Sequence, residues 1–436
     1  MALEIVQILA SGTFGHVAVV RDSSSGRLLA AKVLRDAYIA NSRVIRRMRD
    51  EATLLARLSH PNIVLLESTR EVEGRPLLLL EWIRGAPLNA VLARSPGGLP
   101  APEAAEVIRL VAGALHAAWS TIDPISRQQM RVIHRDIKPS NLLLSADGVL
   151  KIVDFGIAKG DFEGRESETI SVVLGAEGYV APERLDGAPD SPAGDIYALG
   201  CVFFELLTSR RLALSLQRRR HEDQLQRGLM LVRPPDAAPK IVRSLVYLLS
   251  AMAAYEPRDR PTHAQVIRYL DRLMAEAAWQ PRLDQLAHRH VLPHLADLAL
   301  TRPEQHPAWA ELQFLQLPTG ETPTVAPPRR IDEHLRRLLA EEGWHHRPEA
   351  LRHTLAIDPS WTPAPFIEAL DRLLETRPWW RRRDWEHDPR IRDPIVVILE
   401  FLQTRPNDEV RRHVRRLLRH GDPEVSAMAQ LVFTAP

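Results

Sequence analysis

The segment VIHRDIKPSNLLL, residues 132–144, constrains this chain more than any other stretch. An apolar pair leads into polar residues at fixed offsets, and a second apolar run follows them. The pattern predicts flanking elements that hold Asp136, Lys138 and Asn141 rigidly, within six residues of one another. This loop is therefore the first candidate for a site that carries chemistry.

Four more motifs stand around this loop in a fixed order. A glycine-containing turn, LASGTFGHV, begins at residue 9, and a lysine lies in the predicted strand LAAKVL. After the loop, LKIVDFGIAKG brings an acid from a predicted strand into a second glycine turn, and GYVAPERL follows. One short motif is weak evidence, whereas five in the right order are strong evidence. Together they resemble the signature set of the eukaryotic-like Ser/Thr protein kinases, in their soluble bacterial form.

The resemblance implies an α+β chain: a bilobal protein kinase fold with a β-rich N-lobe and a helical C-lobe, followed by an all-α C-terminal region. Strand-like runs in the first 80 residues and mostly helical patterns after residue 101 agree with that order. The length of 436 residues suits two or three domains. The expected parts are a kinase domain over 1–280 (N-lobe about 1–83, C-lobe about 84–280), connecting helices and a Pro/Thr-rich linker over 281–330, and an α-helical interaction domain over 331–436.

The chemistry that this resemblance implies is the transfer of the ATP γ-phosphate to a protein hydroxyl, which needs positioning and charge neutralisation more than covalent help. Asp154 and Asn141 match the residues that hold Mg²⁺, with Mn²⁺ as an alternative, and hard cations prefer such oxygen ligands. Asp136 matches the residue that accepts the proton of the substrate hydroxyl. Lys138 matches a lysine that contacts the γ-phosphate in Ser/Thr-directed members, so it favours serine and threonine as acceptors.

Lys32 matches the family's lysine on the α- and β-phosphates of ATP. Its expected partner is Glu51, in the helical segment SRVIRRMRDEATLLARL. Asp50 is the weaker candidate because it lies in a different helical direction. The alternative for Lys32 is an exposed strand lysine without a role.

The glycine turn and the hinge supply the remaining expected ATP contacts. Ala10 stands where the family has a first glycine, and its methyl group is tolerated provided that its φ is negative. In the hinge, Leu80 would be the gatekeeper, and two backbone positions beyond it would pair with the adenine edge. The expected contacts outside the catalytic loop are Leu9, Ala10, Gly12, Gly15, Val17, Lys32, Glu81 and Ile83.

Arg135 is the type of residue that receives an activation-loop phosphate, since arginine pairs well with phosphate. Thr169 and Ser171 are the phosphosite candidates, with ordinary loop hydroxyls as the alternative. Ala176 and Glu177 replace the Thr-Pro pair that many family members carry there, so the hydroxyl that braces the catalytic Asp and Lys in those members is absent. The family positions with an expected structural role are Asp195, which braces the catalytic loop, and the ion pair of Glu183 with Arg260.

The runner-up hypothesis is an ATP-binding pseudokinase that acts as a regulatory scaffold. Lys32, Glu51, Asp136, Asn141 and Asp154 are all present, so nothing that the chemistry needs is visibly lost. A scaffold that only kept the fold has no physical reason to keep all five. An active kinase is therefore the leading hypothesis.

Composition excludes several other classes of protein. A formal net charge of +2 provides no global field for nucleic acid or acidic lipid, so neither is an expected partner. One cysteine, Cys201 in an apolar run, excludes an internal disulfide framework and predicts a buried core residue in a reducing compartment. No signal peptide is evident and no run of 18 apolar residues occurs, so a cytoplasmic location is expected.

After residue 331 the sequence reads as short amphipathic helices separated by Asp-Pro or Asn-Asp turns, which weakly resemble HEAT-like repeats. Such helices predict a binding surface for a protein partner. The run RPWWRRRDWEHDPR reads as a helix with Trp379, Trp380 and Trp385 turned inward rather than as a nucleic-acid site. The predicted apolar stripes are Val410, Val414, Leu417 and Leu418 in one helix and Val425, Met428, Ala429 and Val432 in the last.

Overall fold

The computed structural model divides the chain into two compact units, Met1–Ala326 and Pro327–Pro436. In the part of the chain that it describes, no helix combines the length and the apolar character needed to cross a membrane. Several expectations fall outside that part: Thr169, Ser171, the Ala176–Glu177 departure, and the tryptophans Trp379, Trp380 and Trp385. The described residues are 3–72, 75–122, 128–155, 178–185, 189–299, 302–316, 339, 363–375, 389–403, 408–418 and 423–434.

The described part of the N-lobe contains one sheet and one α-helix. Its elements are β1 Leu3–Ser11, β2 Gly15–Asp22, β3 Leu28–Leu34, α1 Ser42–Leu55, β4 Leu66–Val72 and β5 Arg75–Glu81. The strands are antiparallel and lie in the spatial order β1-β2-β3-β5-β4. Asn41 begins α1, because its side chain accepts from the N–H groups of Arg43 and Val44.

Both faces of this sheet are buried, which is why β3 and β5 carry apolar residues almost without alternation. On the inner face, Leu78 and Leu80 join the core that the sheet shares with α1 and the C-lobe. On the outer face, Leu77 and Leu79 belong to a separate cluster that includes side chains from residues 308–315. A distant segment of the chain therefore covers the outer face.

The C-lobe combines a small antiparallel sheet with helices. Its elements are β6 Gly85–Pro87, α2 Leu88–Ala93, α3 Ala101–Ser120, β7 Leu142–Ser145, β8 Leu150–Ile152, α4 Pro182–Leu185, α5 Pro192–Thr208, α6 Arg218–Leu229, α7 Pro239–Met252 and α8 His263–Glu276. The helices α3 and α5 are buried on most of their surface and pack together at the centre. Cys201 of α5 is buried in this core, as the sequence predicts. The α+β, bilobal architecture expected from the motifs is thus confirmed.

Two α-helices beyond residue 280 also belong to the first unit. They are α9 Leu283–Ala299 and α10 Trp309–Leu312. Leu286 and Val291 of α9 are fully buried in the main core, and Leu312 of α10 is fully buried against the outer face of the N-lobe sheet. The region 281–330, which the sequence predicts as connecting helices and a linker, therefore contributes core residues to this unit.

The secondary-structure elements described in the second unit are all helices. Its α-helices are α11 Ala364–Glu375, α12 Pro389–Gln403, α13 Asp408–Val414 and α14 Pro423–Thr434. The stripes predicted from the sequence lie in its core: Val410, Val414, Val425 and Val432 are fully buried. The presence of apolar stripes is therefore confirmed, while the HEAT-like repeat stays a prediction.

Candidate active site

Lys32, Glu51 and Asp154 meet between the two lobes. The Lys32 Nζ lies 2.7 Å from Glu51 Oε1, 2.9 Å from Glu51 Oε2 and 2.7 Å from Asp154 Oδ1. Glu51 is buried on the inner side of α1, whereas the neighbouring Asp50 is exposed. Of the two adjacent acids, only Glu51 can therefore reach the lysine.

The charges in this trio act on one another strongly because the Lys32 ammonium lies within hydrogen-bond distance of both carboxylates. Burial would lower the pKa of the Lys32 ammonium, but the carboxylates of Asp154 and Glu51 raise it above its ordinary value. The ammonium in turn holds the pKa of Asp154 below its usual range, against the effect of burial. Burial raises the pKa of Glu51, and the Lys32 charge opposes that rise. Lys32 therefore stays charged between two acids.

Asp136, Lys138 and Asn141 lie in one compact loop, as their spacing predicts. The Lys138 Nζ lies 2.9 Å from Asp136 Oδ2, and Asn141 Nδ2 donates to the same oxygen at 3.0 Å and to the Asp136 carbonyl at 2.9 Å. The Asp136 side chain is 12% exposed, so a small group can still reach it from the cleft. The carboxylate is thus held in one orientation by two neighbours.

Asp195, in α5, fixes the backbone that leads into this loop. Its carboxylate accepts from the N–H groups of His134 at 2.7 Å and Arg135 at 2.8 Å. Burial raises the pKa of Asp195 to about 6, although these two hydrogen bonds oppose the rise. Arg135 has a φ of 69°, a left-handed conformation that is costly for a residue other than glycine. Asp195 stabilises that conformation, in agreement with the bracing role that the resemblance implies.

His134 connects the catalytic loop to the strand that carries Asp154. The Asp136 N–H donates to His134 Nδ1 at 3.2 Å, so the ring proton lies on Nε2, which is 3.2 Å from the Val153 carbonyl. The ring also packs on Phe155, with 4.6 Å between the ring centroids. Asp154, between Val153 and Phe155, has a φ of 56°, the second left-handed residue at this site.

Asn141 and Asp154 are the residues whose chemistry suits a divalent cation. The Val153 N–H donates to the Asn141 carbonyl at 2.9 Å, which ties the two segments together. Because Asn141 Nδ2 is engaged with Asp136, the side-chain oxygen of the amide is the atom that can serve a cation. One carboxylate and one amide oxygen match a cation that keeps waters and phosphate oxygens as its other ligands. The donor set therefore fits Mg²⁺.

The glycine turn between β1 and β2 is closed by its own backbone. The Gly12 N–H donates to the Gly15 carbonyl at 2.8 Å. A Cβ on Gly15 would lie 2.4 Å from the Val33 carbonyl oxygen, whereas one on Gly12 would meet nothing closer than 3.6 Å. Ala10 pairs with Val17 inside the sheet and is not among the described residues with positive φ. Its methyl group therefore causes no backbone strain, and Gly15 is the position that only glycine fits.

The inner face of the sheet brings the other expected nucleotide contacts toward Lys32. Val17 lies directly opposite Lys32 in the β2–β3 register, so the two side chains share a face. Leu9 lies at an irregularity of the β1–β2 register, and it is partly buried. Leu80 and Ile83 are buried at the junction of the lobes.

Glu81 has a second role that the sequence did not reveal. Its Oε1 accepts from Lys151 Nζ at 2.7 Å and from the Leu65 N–H at 2.8 Å, and both charged side chains are almost fully buried. The Glu81 N–H donates to the Leu65 carbonyl at 2.9 Å. The only advance signal for Lys151 is the scarcity of lysine in an arginine-rich chain.

Arg135 and Arg184 converge on one acid, which the sequence did not reveal either. Asp190 lies 2.8 Å from Arg135 Nε and 3.1 Å from Arg184 Nε, and Arg184 Nη1 also donates to the Arg135 carbonyl at 2.7 Å. The pair of Glu183 with Arg260 forms as the motifs imply, with contacts of 2.6 Å and 2.8 Å.

Comparisons with known proteins agree with this geometry. The family model described as "Protein kinase domain" matches residues 3–270. Among curated proteins, the chain is 36% identical over 210 residues to the serine/threonine-protein kinase PknA of Mycobacterium tuberculosis, which covers 47% of this chain and 46% of PknA. It is 32% identical over 209 residues to PknB of Mycobacterium leprae, covering 47% of this chain and 32% of PknB. The chain thus spans less than half the length of these relatives.

Among solved structures, the chain is similar to the kinase domain of PknI from Mycobacterium tuberculosis. The two are 25% identical, the match covers 64% of this chain and 96% of that one, and the TM-score is 0.46.

Proposed function

This chain belongs to the protein kinase family, and from that premise we propose that it transfers the γ-phosphate of ATP to serine and threonine hydroxyls of proteins. The observation that carries the proposal is the contact of Lys32 with both Glu51 and Asp154. In kinases the lysine–glutamate pair and the acid of the D-F-G motif must both be in place for phosphoryl transfer. Here the Lys32 ammonium lies within hydrogen-bond distance of both carboxylates.

ATP would lie between the glycine turn and the hinge. Lys32 would neutralise the α- and β-phosphates, the turn over Leu9–Val17 would cover them, and the backbone of Glu81 and Ile83 would pair with adenine. Val17, opposite Lys32, would pack on the base. The buried inner face of the sheet supports this pose, since an apolar surface suits a flat aromatic ring.

The family uses a divalent cation with ATP, and we assign Mg²⁺ to Asn141 and Asp154 on the chemistry of their oxygens. When bound, the cation neutralises charge on the phosphates. The protein prepares for it, because Lys32 keeps Asp154 ionised and Asp136 orients the Asn141 amide.

Asp136 would accept the proton of the attacking hydroxyl and hold that hydroxyl in line with the γ-phosphate. Asn141 and Lys138 fix its carboxylate, and Lys138 would also reach the γ-phosphate. A lysine at this position supports serine and threonine as acceptors, and the names of PknA and PknB agree with that class.

Three finer assignments accompany this proposal. Thr169 and Ser171 would take a phosphate from the kinase itself, and Arg135 would exchange its contact with Asp190 for that phosphate. The helices of the second unit would bind a protein partner. The single cysteine supports a cytoplasmic location.

The alternative, a pseudokinase scaffold, is not favoured. It would require the loss of a group that phosphoryl transfer needs, and Lys32, Glu51, Asp136, Asn141 and Asp154 are all present. Lys32 contacts Glu51 and Asp154, and Asn141 contacts Asp136. Among the residues of the site that the structure describes, no feature supports binding without chemistry.

The proposed function is tested by incubating the full chain with γ-labelled ATP, Mg²⁺ and a generic basic protein, and by identifying the labelled side chains with mass spectrometry. We expect label on serine and threonine. Label on tyrosine alone would contradict the proposed acceptor class. ATP binding without any transfer of label would contradict the kinase and support the scaffold.

A further inference from the structure

Residues 302–316, which we call the clasp, cover the outer face of the N-lobe sheet. Leu312, Phe314 and Leu315 of the clasp are buried in one cluster with side chains of β1, β2, β3 and β5. The Arg75 guanidinium lies 4.6 Å above the centre of the Phe314 ring. The clasp is thus a docked part of the kinase body, although it follows the last kinase motif.

The helix that precedes the clasp is anchored on the C-lobe. A Cβ on Gly148, in the β7–β8 turn, would lie 2.5 Å from the Asp284 backbone nitrogen at the start of α9. At the other end of α9, the Leu298 carbonyl accepts from Gln7 Nε2 of β1 at 2.8 Å. The chain from residue 283 to 316 therefore contacts both lobes.

Glu311 is the polar residue that the clasp brings to the glycine turn. Its Oε2 accepts from the Asp36 N–H at 2.9 Å and lies 3.3 Å from His16 Nε2. The other ring nitrogen, His16 Nδ1, lies 2.9 Å from Ser11 Oγ. The His16 side chain is only 2% exposed, and its ring is enclosed with Ser11 Oγ on one side and the Glu311 carboxylate on the other. The hydrogen bond from Asp36 keeps the pKa of Glu311 below its usual range, so the carboxylate is charged.

These contacts hold the turn from both sides. Ser11 is the last residue of β1 and His16 the second residue of β2, and they pair across the two ends of the turn. The Arg35 N–H, next to Asp36, donates to the carbonyl of Phe14 at the tip at 3.0 Å. Glu311 thus contacts His16 of β2 directly and is linked to Ser11 of β1 through the His16 ring. It also contacts Asp36, the neighbour of the residue that supports the tip of the turn.

We propose that Glu311 is a positioning residue for the nucleotide-binding turn. Glu311 holds Ser11 and His16 in the conformation that receives the phosphates of ATP. The proposal rests on the proposed function, because it assigns ATP to this turn. A turn ordered in advance binds ATP with a smaller loss of conformational entropy. Loss of the Glu311 carboxylate therefore weakens nucleotide binding without touching the catalytic loop.

The test compares Glu311→Ala with Glu304→Ala in the full chain. Glu304 lies on the same clasp but is exposed, so its variant controls for a lost charge. The affinity for ADP with Mg²⁺ is measured by calorimetry, KM for ATP and kcat by steady-state kinetics, and the order of residues 11–16 by amide hydrogen exchange without nucleotide.

For Glu311→Ala we expect the KM for ATP and the Kd for ADP to rise about fivefold or more, with kcat near the wild-type value. We also expect faster hydrogen exchange in residues 11–16, and no change in any of these in Glu304→Ala. Equal ADP affinity and exchange in wild type and Glu311→Ala would overturn the positioning role by itself. If the wild type bound no nucleotide, the proposed function would fail first, and this role with it.

Discussion

Arg260 offers a sharp test of how the C-lobe holds α4 and the loop before α8 together. Its side chain is fully buried and donates to both carboxylate oxygens of Glu183, to the Ala193 carbonyl, and to the carbonyls of Ala254 and Tyr255. Arg260→Met keeps the length and apolar stem of the side chain but removes all of these donors. The Glu183 carboxylate then lies in the interior without its partner.

The size of the effect follows from that burial. Removing one partner of a buried ion pair costs about 3–5 kcal/mol, because the remaining charge loses its compensation. For a unit of 326 residues, an unfolding entropy of about 2.1 cal/mol/K per residue makes 1 kcal/mol correspond to roughly 1.5 °C in the unfolding temperature. We therefore expect the unfolding temperature of the first unit to fall by between about 4 and 8 °C.

The assay is thermal unfolding followed by circular dichroism, with Arg258→Met as the matched control. Arg258 lies two residues away in the same turn and is exposed, so its loss should change the unfolding temperature little. The double variant Glu183→Gln/Arg260→Met should recover part of the loss, because no buried charge remains. If the unfolding temperature fell no further for Arg260→Met than for Arg258→Met, the buried contacts of Arg260 would not stabilise the C-lobe as we infer.

Three further predictions concern single positions. Lys151→Met leaves the Glu81 carboxylate buried without its ion-pair partner, and urea unfolding should show a loss of about 3–5 kcal/mol. Gly15→Ala places a Cβ 2.4 Å from a backbone oxygen, so ADP affinity measured by calorimetry should fall, whereas Gly12→Ala should leave it nearly unchanged. Burial raises the pKa of Asp195 from 3.8 to about 6, so the folded protein holds a proton that the unfolded chain has released between these two values. The stability that this group contributes falls as pH rises through that range, and urea titrations should show that Asp195→Asn removes this component of the pH dependence.

The sequence predicts roles for the residues that stand in short, contiguous motifs. Asp136, Lys138 and Asn141 could be recognised because their spacing within one loop is the feature that the chemistry needs. Glu51 could be chosen over Asp50 because helical periodicity separates neighbouring positions by about 100°. The structure brings these residues together with Lys32 and Asp154 as that reasoning implies.

Residues whose roles depend on distant partners could not be found in this way. The continuous apolar character of β3 and β5 indicates that both faces of the sheet are covered, but no local pattern says that residues 308–315 cover one of them. Likewise, Glu311 and His16 are 295 positions apart, and Glu311 stands in none of the motifs. The left-handed φ values of Arg135 and Asp154 could not be predicted from the sequence either. Contacts with distant residues, such as that of Asp195 with the Arg135 N–H, stabilise such conformations.

We propose that Asp136 and its neighbours perform phosphoryl transfer, and a comparison of transfer rates tests that role. The measurement is single-turnover transfer from γ-labelled ATP with Mg²⁺ by the wild type, by Asp136→Asn and by Asp147→Asn. Asp147 is an exposed acid in the β7–β8 turn and serves as the control. We predict that Asp136→Asn lowers the rate by about 10²–10⁴-fold, the usual contribution of a general base, while Asp147→Asn keeps the wild-type rate. Equal transfer rates for the wild type and Asp136→Asn would contradict the role of Asp136 as the general base.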